Sequence, residues 1–119
     1  GDAQGGGPRP GPATLRITED AGDGSTDGAT IEVRGELDLA GVRAVGDDLL
    51  ARTGTGGSIT VDLRPTSYLA SAGVALLVEA DRRVRSAGGR LRVRVAGSDI
   101  VRRALNLSGV DAMLDVSDG

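Results

Sequence analysis

Apolar and polar residues alternate through four stretches of the chain, and each reads as a strand with one buried face. Leu15 and Ile17 alternate with Thr14, Arg16 and Thr18. Ile31 and Val33 alternate with Thr30, Glu32 and Arg34. Ile59, Val61 and Leu63 alternate with Ser58, Thr60 and Asp62, and Leu91, Val93 and Val95 alternate with Arg90, Arg92 and Arg94. Between them the period lengthens to that of a helix. Asp38 is a good N-cap for a helix carrying Val42, Val45 and Leu49, which the Thr53–Gly57 glycine cluster ends. Ser71 takes the N-cap position of a second helix, which carries Val74, Leu77, Val78 and Val84 and stops at Gly88-Gly89. Ser98 and Asp99 open a third, with Ile100, Val101, Ala104 and Leu105, closed by Gly109. A short last strand is expected over Leu114–Val116.

The element order is therefore ββαβαβαβ, an α/β domain with a mostly parallel sheet and right-handed crossovers; only the first two strands are close enough in the chain to pair antiparallel. Strands covered on both faces read as continuous apolar runs, and these alternate. The helices are expected on one face only, leaving Arg16, Glu32, Arg34, Thr60, Arg92 and Arg94 on an open, charge-paired face. At 119 residues the chain is one domain's worth. Residues 1–13, rich in glycine and proline, have the composition of a flexible linker or tail, and residues 14–119 form the domain.

Composition narrows the chemistry. The chain has neither cysteine nor histidine, and all its basic residues are arginine, so thiolate metal sites and an imidazole base are excluded. Ser71 would need a base to act as a nucleophile, and Asp38, with an ordinary pKa of about 3.9, is a poor one. The expectation is a non-enzyme without cofactor or metal. A net charge of −3 argues against direct nucleic-acid binding, which needs a basic surplus. No apolar run reaches the roughly 18 residues that span a bilayer, so a cytoplasmic location, with no membrane unless the domain belongs to a larger chain, is the default expectation. Gly54-Thr55-Gly56-Gly57 leads from a helix into a strand, the reverse of a phosphate loop.

Gly35-Glu36-Leu37-Asp38, Val61-Asp62-Leu63, Ser67-Tyr68-Leu69, Ser71-Ala72-Gly73-Val74 and Ala104-Leu105-Asn106-Leu107-Ser108-Gly109-Val110 together resemble the STAS domain of bacterial anti-sigma-factor antagonists. The resemblance runs in one register from about Thr14 to Val116. It implies a sheet with helices on one side and a partner switch: the domain binds an anti-sigma factor with serine kinase activity, phosphorylation at the position of Ser71 breaks that complex, and a metal-dependent serine phosphatase resets it. Such a switch would control sigma-factor-dependent transcription, as in stress responses. The implied partner surface comprises Asp38, Ser67, Tyr68, Ala70, Ala72, Gly73 and Leu76, with Ser67 a rival hydroxyl in the loop. Asp38 is also fully accounted for as an N-cap, and Leu76 as flank packing. Ala70 stands where many members carry an acidic residue, and Ala72 where a second hydroxyl can follow. That departure keeps open a second reading, a non-phosphorylated STAS module that docks or regulates within a multidomain protein or transporter.

Overall fold

The computed structural model describes residues 13–20 and 28–117. Strands β1 (Thr14–Asp20) and β2 (Gly28–Leu37) lead into helix α1 (Leu39–Thr53). Strands β3 (Ser58–Asp62) and β4 (Thr66–Leu69) precede α2 (Ser71–Ser86), and β5 (Arg90–Arg94), α3 (Asp99–Ser108), a 3-10 turn (Val110–Ala112) and β6 (Asp115–Ser117) complete the order. The sheet runs β1-β2-β3-β5-β6, with β4 paired to β2. Only β1 is antiparallel to its neighbour; every other pair is parallel. The expected tail lies outside the described residues except for Ala13, which is buried at the start of the domain. The turn expected between the first two strands also lies outside them at residues 21–27.

The inward positions of the alternating strands make the core. Ile31, Val33, Ile59, Val61, Leu63, Leu91, Val93 and Val95 are buried against Val45 and Leu49 of α1, Val74, Leu77 and Val84 of α2, and Val101 and Leu105 of α3. Each such side chain contributes about 1.5–3 kcal/mol by leaving water. The opposite face is polar, as the alternation predicts: Arg16, Arg34 and Arg92 are exposed, and Glu32, Thr60 and Arg94 half-buried. Ile100, expected in the core stripe of α3, is instead 57% exposed, because it lies a full 100° round the helix from Val101.

One strand is additional to the expected order. β3 ends at Asp62, three residues before Pro65, which lies in the following turn and does not itself stop the strand, yet the chain resumes pairing with β2 directly after that proline. Glu32 pairs Asp62, and Gly35 pairs Thr66, so one more residue is spent on the β3–β4 side than on β2. The Thr66 hydroxyl, buried, donates to the Val33 carbonyl at 2.7 Å and pins the restart. β4 carries the chain to Leu69, which pairs with Leu37. That rung places the functional surface.

Candidate functional site

Two helices start from the Leu37–Leu69 rung. The Ala70 N–H donates to the Leu37 carbonyl at 3.1 Å, holding the two chain exits together. Asp38 then caps α1 and Ala70 caps α2. The two caps differ in chemistry. The Asp38 Oδ1 accepts from the Gly41 N–H at 2.9 Å, whereas Ala70 offers α2 no side-chain acceptor.

Ser71 is consequently the first helical residue of α2 and not its N-cap. The Val74 N–H bonds to the Ala70 carbonyl at 3.0 Å, so the first helical hydrogen bond belongs to Ala70. The expectation placed the cap one residue late because serine is the preferred cap type; the exit from strand pairing set the position. With its own hydroxyl not engaged as a cap, Ser71 is exposed.

Around it, Ser67 is exposed and Tyr68 is 49% exposed, while Asp38, Ala70 and Ala72 are half-buried. Those residues sit at one end of the sheet, on or just after the paired ends of β2 and β4. Gly73 and Leu76 lie inside. A Cβ on Gly73 would stand 2.4 Å from the Leu37 carbonyl oxygen and 2.7 Å from Leu69 Cδ1; the residue has no side chain because β2 and β4 pass directly beneath it. Leu76, 6% exposed, packs towards α1, where its Cδ1 would lie 3.7 Å from a Cβ on Gly46. Both shape the surface from below, and flank packing is the role the structure gives Leu76.

Leu39, the first residue of α1, is 56% exposed beside this surface. Sequence reasoning did not single it out. The available signal was a large apolar residue directly after a cap, about 100° off the centre of the Val45–Leu49 stripe, where the core no longer covers it.

Among the described residues, one cleft of about 420 Å³ is lined by Asp81, Arg85, Arg90 and Asp115, and another of about 500 Å³ by Leu15, Ile17, Ala51 and Arg52. Among the described residues, no group of three or more Asp, Glu, His or Cys side chains could hold a metal ion, and no helix is long and apolar enough to cross a membrane.

Comparison with solved structures agrees with this architecture. An anti-sigma factor antagonist from Mycobacterium paratuberculosis superposes with a TM-score of 0.76 at 21% identity, covering 90% of this chain and 86% of that one. The anti-sigma factor antagonist SpoIIAA in its unphosphorylated form gives 0.68 at 20% identity, over 87% and 88%. The phosphorylated form of SpoIIAA, a Bacillus cell fate determinant, gives 0.62 at 19% identity, over 87% and 91%. At these identities the likeness is one of fold. No curated protein matches the chain. The family model described as "Mlab, STAS domain" matches residues 22–115, most of the domain, and the chain therefore belongs to the STAS domain family.

Proposed function

We propose that this chain is an anti-sigma-factor antagonist, which binds an anti-sigma factor with serine kinase activity and is released from it by phosphorylation of Ser71. A serine phosphatase returns it to the binding form. The observation that carries this reading is the exposed Ser71 hydroxyl at the start of a helix whose first turn no side chain caps. The likeness of fold to proteins described as anti-sigma factor antagonists, one of them in a phosphorylated form, supports it.

A phosphoserine brings about −1.5 to −2 charges and three acceptor oxygens. At the start of α2 the uncapped N–H groups and the helix dipole accommodate that charge, so the fold tolerates it. A partner lying flat on Leu39, Tyr68 and Ala72 has no such compensation. Covering Ser71 would require it to desolvate a dianion, a cost of several kcal/mol, and about 1.4 kcal/mol is already tenfold in affinity. Local charge thus separates two proteins without unfolding either.

Intact-mass measurement after incubation with ATP and the anti-sigma-factor kinases of the host tests the reading. The wild type should gain one phosphate and Ser71→Ala none; a phosphate retained in Ser71→Ala would move the switch to another hydroxyl, Ser67 first. Ala70 favours the second reading, a STAS domain that docks within a larger assembly and is never phosphorylated. In that case no kinase modifies the wild type.

A further inference from the structure

The open face of the sheet presents an arrangement that the Ser71 switch does not use. Register places Arg16, Glu32, Asp62 and Arg94 side by side in one row across β1, β2, β3 and β5, with Arg92 and Asp115 in the next row. The acids are paired: Arg64 with Asp62 at 2.8 Å, Arg34 with Glu32 at 3.4 Å, Arg92 with Asp115 at 3.4 Å. In two of the three pairs the members lie at different depths, whereas Arg92 and Asp115 are level at 54% and 46% exposed. The Asp62 side chain is 5% exposed beneath an Arg64 that is 48% exposed, and Glu32 is 27% exposed beneath an Arg34 at 65%. Over β2 and β3 the carboxylates sit low and the guanidinium groups stand above them, so pairing neutralises that part of the face from underneath and leaves its outer surface positive. Arg94 adds a buried Nε with no acceptor among the described residues.

We propose that this face is a docking surface for an acidic, extended segment of a partner protein, separate from the surface around Ser71. Neighbouring strands are about 4.8 Å apart, so arginines on β2 and β5, two strands away, stand roughly 10 Å apart. An extended chain covers that distance in about three residues. A run of some six residues rich in Asp and Glu therefore crosses the face from β1 to β5 with a carboxylate over each arginine cluster. Arginine suits this role because its fork of donors binds a carboxylate through two parallel bonds, and because one guanidinium can serve an acid below and another above. A nucleic acid fits less well: Tyr68, which pairs with Glu36 at the far end of β2, is the chain's only aromatic residue and cannot by itself form a base-stacking platform.

The probe is a fluorescently labelled peptide of alternating Glu and Ser, titrated by anisotropy at about 0.15 M salt and compared with a single-stranded oligonucleotide of equal charge. The wild type should bind the peptide saturably, and Arg16→Ser combined with Arg34→Ser should weaken it about tenfold or more. Ser71→Glu should leave it unchanged. Amide shift mapping on the wild type gives a reading that needs no variant to fold: peptide-induced shifts should fall on β1, β2 and β5. Absence of peptide binding, binding indifferent to the two arginines, tighter binding of the oligonucleotide, or shifts confined to α1 and α2 would each overturn the proposal.

Discussion

The two helix starts at the end of the sheet are nearly the same sequence. Asp38-Leu39-Ala40-Gly41-Val42 opens α1, and Ala70-Ser71-Ala72-Gly73-Val74 opens α2. The shared Ala-Gly-Val has a shared cause: a Cβ on Gly41 would meet the Glu36 carbonyl oxygen at 2.1 Å, and one on Gly73 the Leu37 carbonyl oxygen at 2.4 Å. Each helix begins so close to the strand end that its third residue can carry no side chain. The first two positions exchange chemistry. At α1 the polar group caps and the apolar residue is exposed; at α2 the cap is apolar and the exposed residue is a hydroxyl. One helix end is closed by its own carboxylate, while its neighbour is left open to take an added anion.

Breaking the shared part should cost most. Gly73→Ala forces backbone or the packed Leu37 and Leu69 to move, and we expect a loss of roughly 3 kcal/mol in urea unfolding, at the upper end of overpacking costs. Gly46→Ala is the control within α1. Its Cβ would meet Val42 Cγ1 at 3.5 Å and Leu76 Cδ1 at 3.7 Å, ordinary contacts, so the same substitution there should stabilise by about 0.5–1 kcal/mol through helix propensity and chain entropy. Equal effects at the two glycines would show that close approach is not what requires Gly73.

Exchanging the caps comes next. Asp38→Ala should lose about 1 kcal/mol by freeing the Gly41 N–H, and Ala70→Asp should gain a comparable amount by giving the Gly73 N–H an acceptor. Thermal unfolding of both variants would read the two signs, and an Ala70→Asp protein no more stable than wild type would mean that α2 was never open.

A smaller, pH-dependent effect has to be kept apart from the caps. The Arg64 side chain hydrogen-bonds Asp62 and holds its pKa below the usual 3.8 despite burial, and Arg52 does the same for Glu19 below 4.5. A carboxylate whose folded pKa is depressed stabilises fully above its unfolded value and loses that contribution as pH falls through the folded one. Stability should therefore decline below about pH 4, and the urea midpoint of Asp62→Asn should fall less steeply there than that of the wild type. Parallel pH profiles would assign the acid lability elsewhere.

Much of this was legible in the pattern of residues. Period-2 alternation located β2, β3 and β5 and the side on which the helices lie, because burial of one sheet face is written into every second residue. Asp38 was legible because a cap needs only local geometry. β4 was not: its burial runs buried, exposed, exposed, buried from Thr66 to Leu69, and its pairing depends on a register shift at Gly35 and Glu36. The cap of α2 was misplaced for a related reason, since Ala70 takes that role through a bond to Leu37 more than thirty residues away. Tertiary contacts also decided Leu39 and Leu76. Helical period alone does not say that the first faces outwards at a helix end and the second is sealed between α1 and α2.

On the proposed switch, charge on Ser71 should remove a partner and leave the fold alone. Calorimetric titration of unmodified and Ser71-phosphorylated protein against the modifying kinase, with thermal unfolding of both forms, addresses it directly. Phosphorylation should weaken binding by about 30-fold or more, which is about 2 kcal/mol, while stability changes by no more than about 1 kcal/mol. Equal affinity of the two forms, or a phosphorylated domain that has lost its fold, would contradict it.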